Sequence, residues 1–558
     1  MGDTTKTDSS ESAARRPQDW WRGAIIYQIY PRSFFDSNGD GIGDLPGIAA
    51  RLEYVARLGV DAVWLSPFFR SPMKDFGYDV SDYRAVEPIF GTLDDFDAVV
   101  QKGHQLGLKI IIDQVLNHSS DQHSWFRDSR QSPDSAKADW YVWADPKPDG
   151  TPPNNWLSYF GGPAWQWDSH RLQYYFHQFL PSQPDLNFHN REVQYQLLDE
   201  VEFWLKRGVD GFRLDTVNMY THDKELRDNP PSDPGGTRVD GVVRQNPYAY
   251  QHHIYDKTRP ENIDFLRRLR QLLDRYPGTT TVGEIGAEEA AKVMAEYTSG
   301  SDKLHMGYAF GLLTREFSAG HIRRVIESME REIGDGWLCW SLSNHDVARV
   351  VTRWGGAGPQ PELAKVLSAM LLSLRGSVCI YQGEELGLTE AEIPYHQMQD
   401  PYGLNLWPEI KGRDGCRTPM PWTDAEPHAG FSSARPWLPI PDEHRALSVA
   451  RQEAEADSVL SVFRTFVNWR RGIPALRLGS IELLDVPEPV LAFVRSHEGE
   501  RILALFNLSA TPVPATLPDH LGVERGRTLA GHGFAPARLS NTTVELSRYG
   551  VYFCHLGT

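Results

Sequence analysis

An arginine and an aspartate two positions apart, Arg213 and Asp215, are residue types that could carry out nucleophilic chemistry. The apolar and alternating pattern of residues 209–217 predicts a short strand, in which side chains at i and i+2 share a face. A neighbouring positive charge favours the ionised form of a carboxyl group. An ionised carboxylate on a rigid strand can act as a nucleophile. A purely structural arginine–aspartate pair at a strand end is the alternative.

Four segments resemble the α-amylase family of glycoside hydrolases (family 13), in the order expected for that family. Gly211 to Asp215 resembles its nucleophile strand, and residues 113–118, 282–285 and 342–346 resemble three further motifs. Residues 183–187, Gln-Pro-Asp-Leu-Asn, resemble the hallmark of the α-glucosidase and oligo-1,6-glucosidase branch. The resemblance implies a (β/α)8 barrel with its site at the C-terminal ends of the strands.

Three acidic residues are candidates for catalysis. Cleavage of a glycosidic bond with retention requires an ionised nucleophile and a protonated acid. Asp215 beside Arg213 suits the first role, and Glu284 at a strand end suits the second, its proton held by nearby anions. The resemblance implies that Asp346 holds sugar hydroxyls and stabilises the transition state. Each carboxylate alone could be structural, and only a closed barrel would bring the three together.

The resemblance also implies which residues bind the sugar. His118 and His345, each after an asparagine, match family histidines that hydrogen-bond glucose. Asp75 and Arg413 match branch residues that grip the far hydroxyls of a terminal glucose. Tyr78 would form a stacking platform.

Further pocket residues follow from their places in the chain. Phe160 and Phe179, in the insertion, are predicted pocket walls. Thr216 follows the nucleophile and is predicted to point to the opposite side of the strand, within reach of the pocket rim. In this branch the residue here is typically valine where α-1,6 bonds are preferred, and smaller or hydroxylated where α-1,4 bonds are preferred. We interpret Asp79 and Asp113 as structural.

An oxygen-rich loop at residues 36–44 predicts a structural metal site. Oxygen side chains at its positions 1, 3, 5 and 9, with glycine at position 6, copy the first part of a calcium loop. Position 12 is Gly47, so the loop is not an EF-hand. The related glucosidases carry a metal ion in this loop. The expected ion is Ca²⁺ or Mg²⁺ without an organic cofactor, and the alternative is a plain turn. The predicted ligands are Asp36, Asn38, Asp40, Asp44 and the carbonyl of Ile42.

The strand and helix patterns support an α/β barrel with two additions. Helices are predicted at 46–58 and 93–106, and alternation with strands is the α/β signature. The predicted barrel strands are 24–30, 61–65, 108–113, 209–217, 280–284, 304–310 (poorly defined), 338–342 and 378–381. The predicted divisions are a disordered tail (1–18), the barrel (19–118 and 187–476), an insertion domain after the third strand (119–186) and a C-terminal antiparallel β domain (477–558).

The composition restricts the partners. The net charge of −17 argues against nucleic acid or an acidic membrane surface as a partner. The four cysteines, which are not closely spaced, suggest neither a zinc site nor a disulfide framework. No apolar run is long enough to span a membrane, and the polar N-terminus does not resemble a signal peptide, so we expect a cytoplasmic monomer or homodimer.

The resemblance implies an exo-acting, retaining α-glucosidase that acts on short α-1,4-linked or sucrose-like glucosides, with transglucosylation. Asp75 with Arg413 is the feature that favours a closed pocket over an open cleft. One alternative is a glucosyl transferase or isomerase, or an oligo-1,6-glucosidase, on the same barrel. Another is a non-catalytic transporter subunit, although such relatives have a membrane span and lose catalytic acids.

Overall fold

A closed barrel of eight parallel strands forms the centre of the protein. The structure, a computed structural model, describes residues 19–232, 242 and 245–557. The predicted tail at 1–18 lies outside the described residues. The barrel strands are β1 (Ile25–Ile29), β2 (Ala62–Leu65), β5 (Lys109–Gln114), β9 (Gly211–Leu214), β10 (Thr280–Glu284), β11 (Met306–Ala309), β12 (Leu338–Ser341) and β13 (Ser377–Tyr381). They pair in the closed order β1-β13-β12-β11-β10-β9-β5-β2.

Strand β9 lies between β5 and β10, and its register fixes which side chains meet. Arg213 is level with Asp113 on β5 and with Val282 on β10. Gly211 begins β9 where a Cβ atom would lie 2.7 Å from the Thr280 carbonyl oxygen, so a side chain there would push the strands apart. The strands are buried on both faces, as their apolar runs predict for a parallel barrel.

Helices surround the barrel and pack apolar faces against it. Thr92 and Asp95 form a capping box at the start of the helix Leu93–Gln105. The helices are α1 (Leu45–Arg57), α2 (Leu93–Gln105), α3 (Ser124–Ser129), α4 (Arg191–Lys206), α5 (Asn262–Leu273), α6 (Ala290–Thr298), α7 (Ala319–Ile333), α8 (Val350–Gly355), α9 (Pro361–Ser373), α10 (Pro401–Leu406), α11 (Asp442–Ala446), α12 (Val449–Glu453), α13 (Val459–Arg471) and α14 (Pro474–Leu478).

Smaller sheets lie outside the barrel. A hairpin of β3 (Phe69–Arg70) and β4 (Asp82–Val86) precedes α2, and an antiparallel sheet of β6 (Trp143–Ala144), β7 (Trp165–Asp168) and β8 (Gln173–Phe176) lies between β5 and β9. At the C-terminal end, two antiparallel sheets enclose a core of their own. Their strands are β14 (Ser480–Leu483), β15 (Val490–His497), β16 (Glu500–Asn507), β17 (Val513–Thr516), β18 (Arg527–Thr528), β19 (Arg538–Ser540), β20 (Thr543–Leu546) and β21 (Val551–His555).

The predicted barrel and C-terminal β domain are confirmed, and two strands differ in detail. The poorly defined sixth strand is β11, a short but regular barrel strand. The predicted strand at 209–217 is only four residues long, because the chain turns into a 3-10 helix at Val217–Met219. All four cysteines are free and buried. In the described part of the chain, no helix is long and apolar enough to cross a membrane.

Candidate active site

Arg213 on β9 lies at the centre of a buried charge network at the C-terminal end of the barrel. Its Nη1 lies 2.6 Å from Oδ1 of Asp215, and its Nη2 lies 2.6 Å from Oε1 of Glu284. The same Nη1 donates to Asp113 at 2.9 Å. The side chain of Arg213 is only 3% exposed, so solvent screens these interactions little. One guanidinium therefore serves three carboxyl groups from three adjacent strands.

Asp113, which we interpreted as structural, belongs to this network. It accepts hydrogen bonds from both Arg213 and the Tyr78 hydroxyl, the latter at 3.0 Å. Burial raises the pKa of Asp113 to about 6, although Arg213 opposes the shift. Asp79 does have a structural role, because it accepts from Ser71 and from the backbone of Lys74 and Asp75.

The three carboxyl groups cannot all be ionised beside one cation without a large electrostatic cost. Burial raises the pKa of Glu284 to about 8; Arg213 opposes this, and the anionic neighbours Asp215 and Asp346 add to it. Burial raises the pKa of Asp215 to about 6, against the opposing effect of Arg213. At neutral pH the site therefore offers an ionised Asp215 and a protonated Glu284.

Thr216 lies beyond the end of β9 and does not continue the strand, contrary to the prediction. Its backbone is left-handed, with φ 40° and ψ 45°, a conformation that β-branched residues rarely adopt. Its N–H donates to Oε2 of Glu284 at 2.9 Å, and its hydroxyl lies 3.4 Å from Oδ2 of Asp215. Strain of this kind persists where surrounding contacts hold it, and here it aims a backbone donor at Glu284.

Asp346 faces a second group of positive charges. Nη1 of Arg413 lies 3.2 Å from its Oδ1, and Nη2 of Arg417 lies 3.1 Å from the same oxygen. Burial opposes ionisation, but His345, Arg413 and Arg417 together hold the pKa of Asp346 well below its usual range. Burial lowers the pKa of His345 to about 3, so this histidine is uncharged near pH 7. The positive charges that face Asp346 at neutral pH are therefore those of the two arginines. Asp346 is therefore anionic throughout the neutral range.

Arg413 also joins Asp75 to the site. Its Nη2 lies 2.8 Å from Asp75 and 2.6 Å from Asp400, and all three side chains are buried. Asp75 in turn accepts from the Gln183 amide at 3.1 Å. Asp75 and Arg413, both predicted to bind the terminal glucose, therefore contact each other, with Asp400 as an additional anchor of Arg413.

The two histidines lie on either side of Tyr78. Nε2 of His345 lies 2.6 Å from the Tyr78 hydroxyl, and Gln28 contacts its Nδ1 at 2.7 Å. Nε2 of His118 lies 3.1 Å from the Tyr78 carbonyl oxygen. Burial lowers the pKa of His118 to about 4, so both histidines are neutral near pH 7.

Aromatic rings line the side of the site next to Arg413. The guanidinium of Arg413 lies 5.2 Å from the Phe160 ring centroid, and Phe179 lies 5.9 Å from Phe160 and 5.2 Å from His118. Tyr402 packs against Phe160 at 5.4 Å. Phe160 and Phe179 thus lie beside the predicted sugar-binding residues.

Besides Asp113, three residues of this site were not predicted as site residues: Asp400, Arg417 and Tyr402. Arg417 follows the predicted site residue Arg413 by four positions, but its pairing with Asp346 is a tertiary contact that the sequence does not show. Asp400 and Tyr402 lie in a part of 387–435 that the sequence shows only as irregular. For Asp400 the one available signal was an acidic side chain 13 positions before Arg413.

The loop at 36–44 uses its side-chain oxygens mainly to hold its own backbone. Asp36 accepts from the N–H groups of Asn38, Gly39 and Gly41, at 3.1, 2.7 and 2.7 Å. Asp44 accepts from Gly47 at 2.6 Å and thereby caps α1. Oδ1 of Asn38 accepts a hydrogen bond from the N–H of Asp40 at 2.9 Å, and Oδ1 of Asp40 accepts one from the N–H of Ile42 at 2.8 Å. Within the described ranges, no three or more His, Cys, Asp or Glu side chains are grouped so as to hold a metal ion. The metal site stays a prediction.

Two family models match the chain. The model described as "Alpha amylase, catalytic domain" matches residues 28–479, and the model described as "Maltogenic Amylase, C-terminal domain" matches residues 481–553. Together they cover the insertion and nearly all of the barrel and the C-terminal sheets.

Curated proteins and solved structures are similar over nearly the whole chain. A "Probable alpha-glucosidase" of Rhizobium meliloti (strain 1021) is 54% identical, covering 99% of this chain and 100% of its own. An "Oligo-1,6-glucosidase" of Heyndrickxia coagulans is 36% identical, covering 90% and 94%. The crystal structure of an alpha-glucosyl transfer enzyme, XgtA, is 56% identical with a TM-score of 0.94, covering 96% and 99%. Trehalulose synthase MutB from Pseudomonas mesoacidophila MX-45 is 32% identical with a TM-score of 0.86, covering 96% and 99%.

Replacing Arg213 with glutamine removes the only guanidinium that contacts Asp113, Asp215 and Glu284 together among the described residues. We expect Arg213→Gln to lower the free energy of unfolding at pH 7 by about 3–5 kcal/mol, because buried carboxylates lose their partner. At pH 5 the loss should be smaller, because carboxyl groups with raised pKa values are then protonated. Denaturant unfolding of the wild type and of Arg213→Gln at both pH values measures this loss in the free energy of unfolding.

Arg207→Gln is the matched control. Arg207 pairs with Asp97 at 2.6 Å at the surface, so its loss should cost less than about 1 kcal/mol at either pH. An Arg213→Gln variant as stable as this control, or a loss that grows on acidification, would contradict the shared-charge description.

Proposed function

Because the chain belongs to the α-amylase family of glycoside hydrolases, we propose that it is an exo-acting, retaining α-glucosidase. It removes one glucose at a time from the non-reducing end of short α-glucosides, through a covalent glucosyl-enzyme intermediate. The observation that carries this proposal is the sharing of Arg213 by Asp215 and Glu284, since it supplies an ionised and a protonated carboxyl group side by side.

In the proposed mechanism, Asp215 is the nucleophile and Glu284 is the acid. An Asp215 oxygen attacks the anomeric carbon while Glu284 gives its proton to the leaving glycosidic oxygen, so the bond to the aglycone breaks as the ester to Asp215 forms. Glu284, now a carboxylate, takes a proton from water as that water attacks the anomeric carbon and releases Asp215. Two inversions give net retention.

Other residues hold the sugar for these steps. Asp346, anionic beside Arg413 and Arg417, suits hydrogen bonding to sugar hydroxyls and stabilises positive charge in the transition state. The neutral histidines His118 and His345 can donate or accept hydrogen bonds from hydroxyl groups without competing for the proton of Glu284. Tyr78 keeps its proposed stacking role while its hydroxyl orients His345.

The exo mode of action rests on the Asp75–Arg413–Asp400 cluster. These side chains are buried and lie together, with Phe160 beside Arg413. In our proposal they close one end of the site, where charged groups can bind the hydroxyls of a terminal glucose. A polymer can then enter only by its chain end, so starch should be a poor substrate.

Transfer to acceptors other than water is part of the proposal. Hydrolysis, transfer and isomerisation share the glucosyl-enzyme intermediate and differ in which hydroxyl group attacks it. The 56% identity to an alpha-glucosyl transfer enzyme favours substantial transfer beside hydrolysis. The oligo-1,6-glucosidase relatives support the alternative of α-1,6 specificity. The three acids and their partners are all present, which disfavours a non-catalytic subunit.

The proposed setting is the cytoplasm, as a monomer or homodimer. Four free, buried cysteines without a disulfide suit a reducing compartment. The substrate is a small oligosaccharide or α-glucoside, and neither nucleic acid nor a membrane is expected to take part.

The experiment that tests the proposed function is a product time course followed by NMR on maltose, sucrose and isomaltose. We expect α-glucose to appear first, together with glucosyl-transfer products, because the mechanism retains configuration. Asp215→Asn should lower turnover by several orders of magnitude while the protein stays folded, whereas the surface control Asp97→Asn should keep full activity. Initial release of β-glucose, or more than about a tenth of wild-type turnover in Asp215→Asn, would refute the assignment.

The pH dependence of kcat/KM should be bell-shaped. Asp215 must be ionised, so activity is lost as the pH falls through its pKa of about 6. Glu284 must be protonated, so activity is lost as the pH rises through its pKa of about 8. The pKa of Asp346 lies well below its usual range, so Asp346 stays ionised and adds no limb to the profile in this range. A basic limb near pH 5, the ordinary range of a glutamate, would mean that Glu284 is not held protonated by its surroundings.

Linkage preference should depend on Thr216, whose hydroxyl lies beside Asp215. We expect the wild type to prefer maltose and sucrose over isomaltose, and Thr216→Val to move this preference toward isomaltose. Threonine and valine differ in polarity more than in volume, so the shift in the kcat/KM ratio should correspond to about 1–3 kcal/mol. A wild type that favours isomaltose, or unchanged ratios in Thr216→Val, would contradict this prediction.

We also propose a structural divalent cation, Ca²⁺ or Mg²⁺, in the loop at 36–44. Four side-chain oxygens and the Ile42 carbonyl within nine residues form a hard-oxygen donor set, and their remaining lone pairs could bind such an ion. Binding would stiffen a loop that caps α1 and contacts Ser432 through Asp36.

Chelation should lower Tm by a few degrees and leave the rate per folded molecule nearly unchanged, because the ion binds only the folded loop. Asp40→Ala should reproduce the lower Tm and remove its dependence on chelator, and Asp94→Ala, at the surface of α2, is the control. Metal analysis that finds no divalent ion in protein purified without chelator would refute the site.

A further inference from the structure

The side chain of Asn218 joins the chain after β9 to the chain after β10. Its Oδ1 accepts from the Gly286 N–H at 3.2 Å, and its Nδ2 donates to the Gly286 carbonyl oxygen at 2.9 Å. Nδ2 also donates to the Thr258 hydroxyl at 2.9 Å, and the Gly286 carbonyl accepts a second bond from Lys257 at 3.1 Å. Asn218 is fully buried, so the loss of its amide would leave polar groups without partners. A carboxamide suits this place because it offers a donor and an acceptor side by side.

This link takes the place of strand pairing where the two strands end. The ladder between β9 and β10 ends with Leu214 opposite Gly283. Among the described residues, no backbone hydrogen bond joins 215–219 to 285–287 beyond that point. The Asn218 side chain therefore holds together two segments that the barrel itself no longer connects.

The two carboxyl groups of the proposed mechanism lie close to this link in the chain. Asp215 is three residues before Asn218, and Glu284 is two residues before Gly286. A short bridge of chain and hydrogen bonds thus connects the nucleophile to the acid. Double displacement requires two carboxyl groups about 5–5.5 Å apart, and small displacements of a reacting group cost rate steeply.

The chain after β9 is anchored independently of the Asn218 side chain. Asn262 donates to the Val217 carbonyl oxygen at 2.7 Å, and the Thr258 N–H donates to the carbonyl oxygen of Asn218 at 2.6 Å. Both bonds would remain if the Asn218 amide were removed. The Gly286 N–H would instead lose its acceptor, so the effect should fall on the side of the acid rather than on that of the nucleophile.

We propose that Asn218 is a positioning residue for Glu284, which it holds facing the leaving glycosidic oxygen by fixing the Gly286 peptide. This inference rests on the proposed function, in which Glu284 gives its proton to that oxygen. Asn218 acts through Gly286 and takes no part in bond breaking. The effect of its loss should therefore depend on how much a leaving group needs the proton.

A comparison of leaving groups tests this role, because a purely structural role would slow all substrates alike. Maltose releases a sugar hydroxyl that needs protonation, whereas α-glucosyl fluoride releases fluoride, which needs little. The value of kcat/KM reports on the steps up to the glucosyl-enzyme. We expect Asn218→Ala to lower kcat/KM about 100-fold for maltose and less than about fivefold for α-glucosyl fluoride, on the scale of general acid catalysis.

Two further variants separate positioning from loss of stability, with Tm measured for each. Asn218→Asp keeps the size and the acceptor for the Gly286 N–H but loses the donor when ionised. It should show the same dependence on the leaving group, with a smaller loss on maltose. Asn262→Ala is the matched control, since it removes a buried amide that holds Val217 on the β9 side. It should change kcat/KM for the two substrates by the same factor.

Equal losses on maltose and α-glucosyl fluoride in Asn218→Ala and Asn218→Asp would overturn the positioning role and leave the proposed function intact. A dependence on the leaving group that is as large in Asn262→Ala would also overturn it, because the link to Gly286 would then not be required. A wild type that releases glucose from neither substrate would overturn the proposed function and this inference with it.

Discussion

The sharing of one buried guanidinium by three carboxyl groups is the interaction on which the rest of the site depends. Arg213 alone cannot compensate Asp113, Asp215 and Glu284 if all are ionised, and burial makes each uncompensated charge costly. The proton therefore resides on the group with the highest pKa, Glu284, while Asp215 stays ionised. Two carboxyl groups with opposite protonation states at one pH are what double displacement requires.

The barrel makes this arrangement possible, and the loops make it selective. Asp113, Arg213 and Glu284 come from adjacent parallel strands whose register leaves little freedom to move. Asp346, Arg413 and Arg417 come from the segments after β12 and β13 and form a second charge cluster. Loops on a rigid scaffold commonly determine specificity, and here the segments after β12 and β13 supply the second charge cluster.

Much of this structure could be predicted from the sequence, for identifiable physical reasons. Apolar runs such as Ile110–Ile112 predict buried parallel strands, and the acids lie at their ends. The turn at Thr216 could not be predicted, because the apolar Val217 that follows continues the strand pattern while the backbone has already become left-handed. The partner of Asp113 could not be predicted, because a strand-end aspartate looks the same in sequence whether it binds a backbone group or an arginine a hundred residues away. Asp400 and Arg417 were missed because their partners are set by tertiary packing of an irregular segment.

In the proposed mechanism Asp215, held ionised beside Arg213, forms the covalent bond to glucose. Its most direct test is to trap the intermediate with 5-fluoro-α-glucosyl fluoride, whose slow second step allows the ester to accumulate, and to locate the added mass by peptide mass spectrometry. We expect one fluoroglucosyl group per chain, attached to the side chain of Asp215 and found on the peptide that contains it. The adduct should form more slowly as the pH falls below about 6. A label on Glu284 or Asp346, or full turnover of the reagent without any covalent adduct, would contradict it.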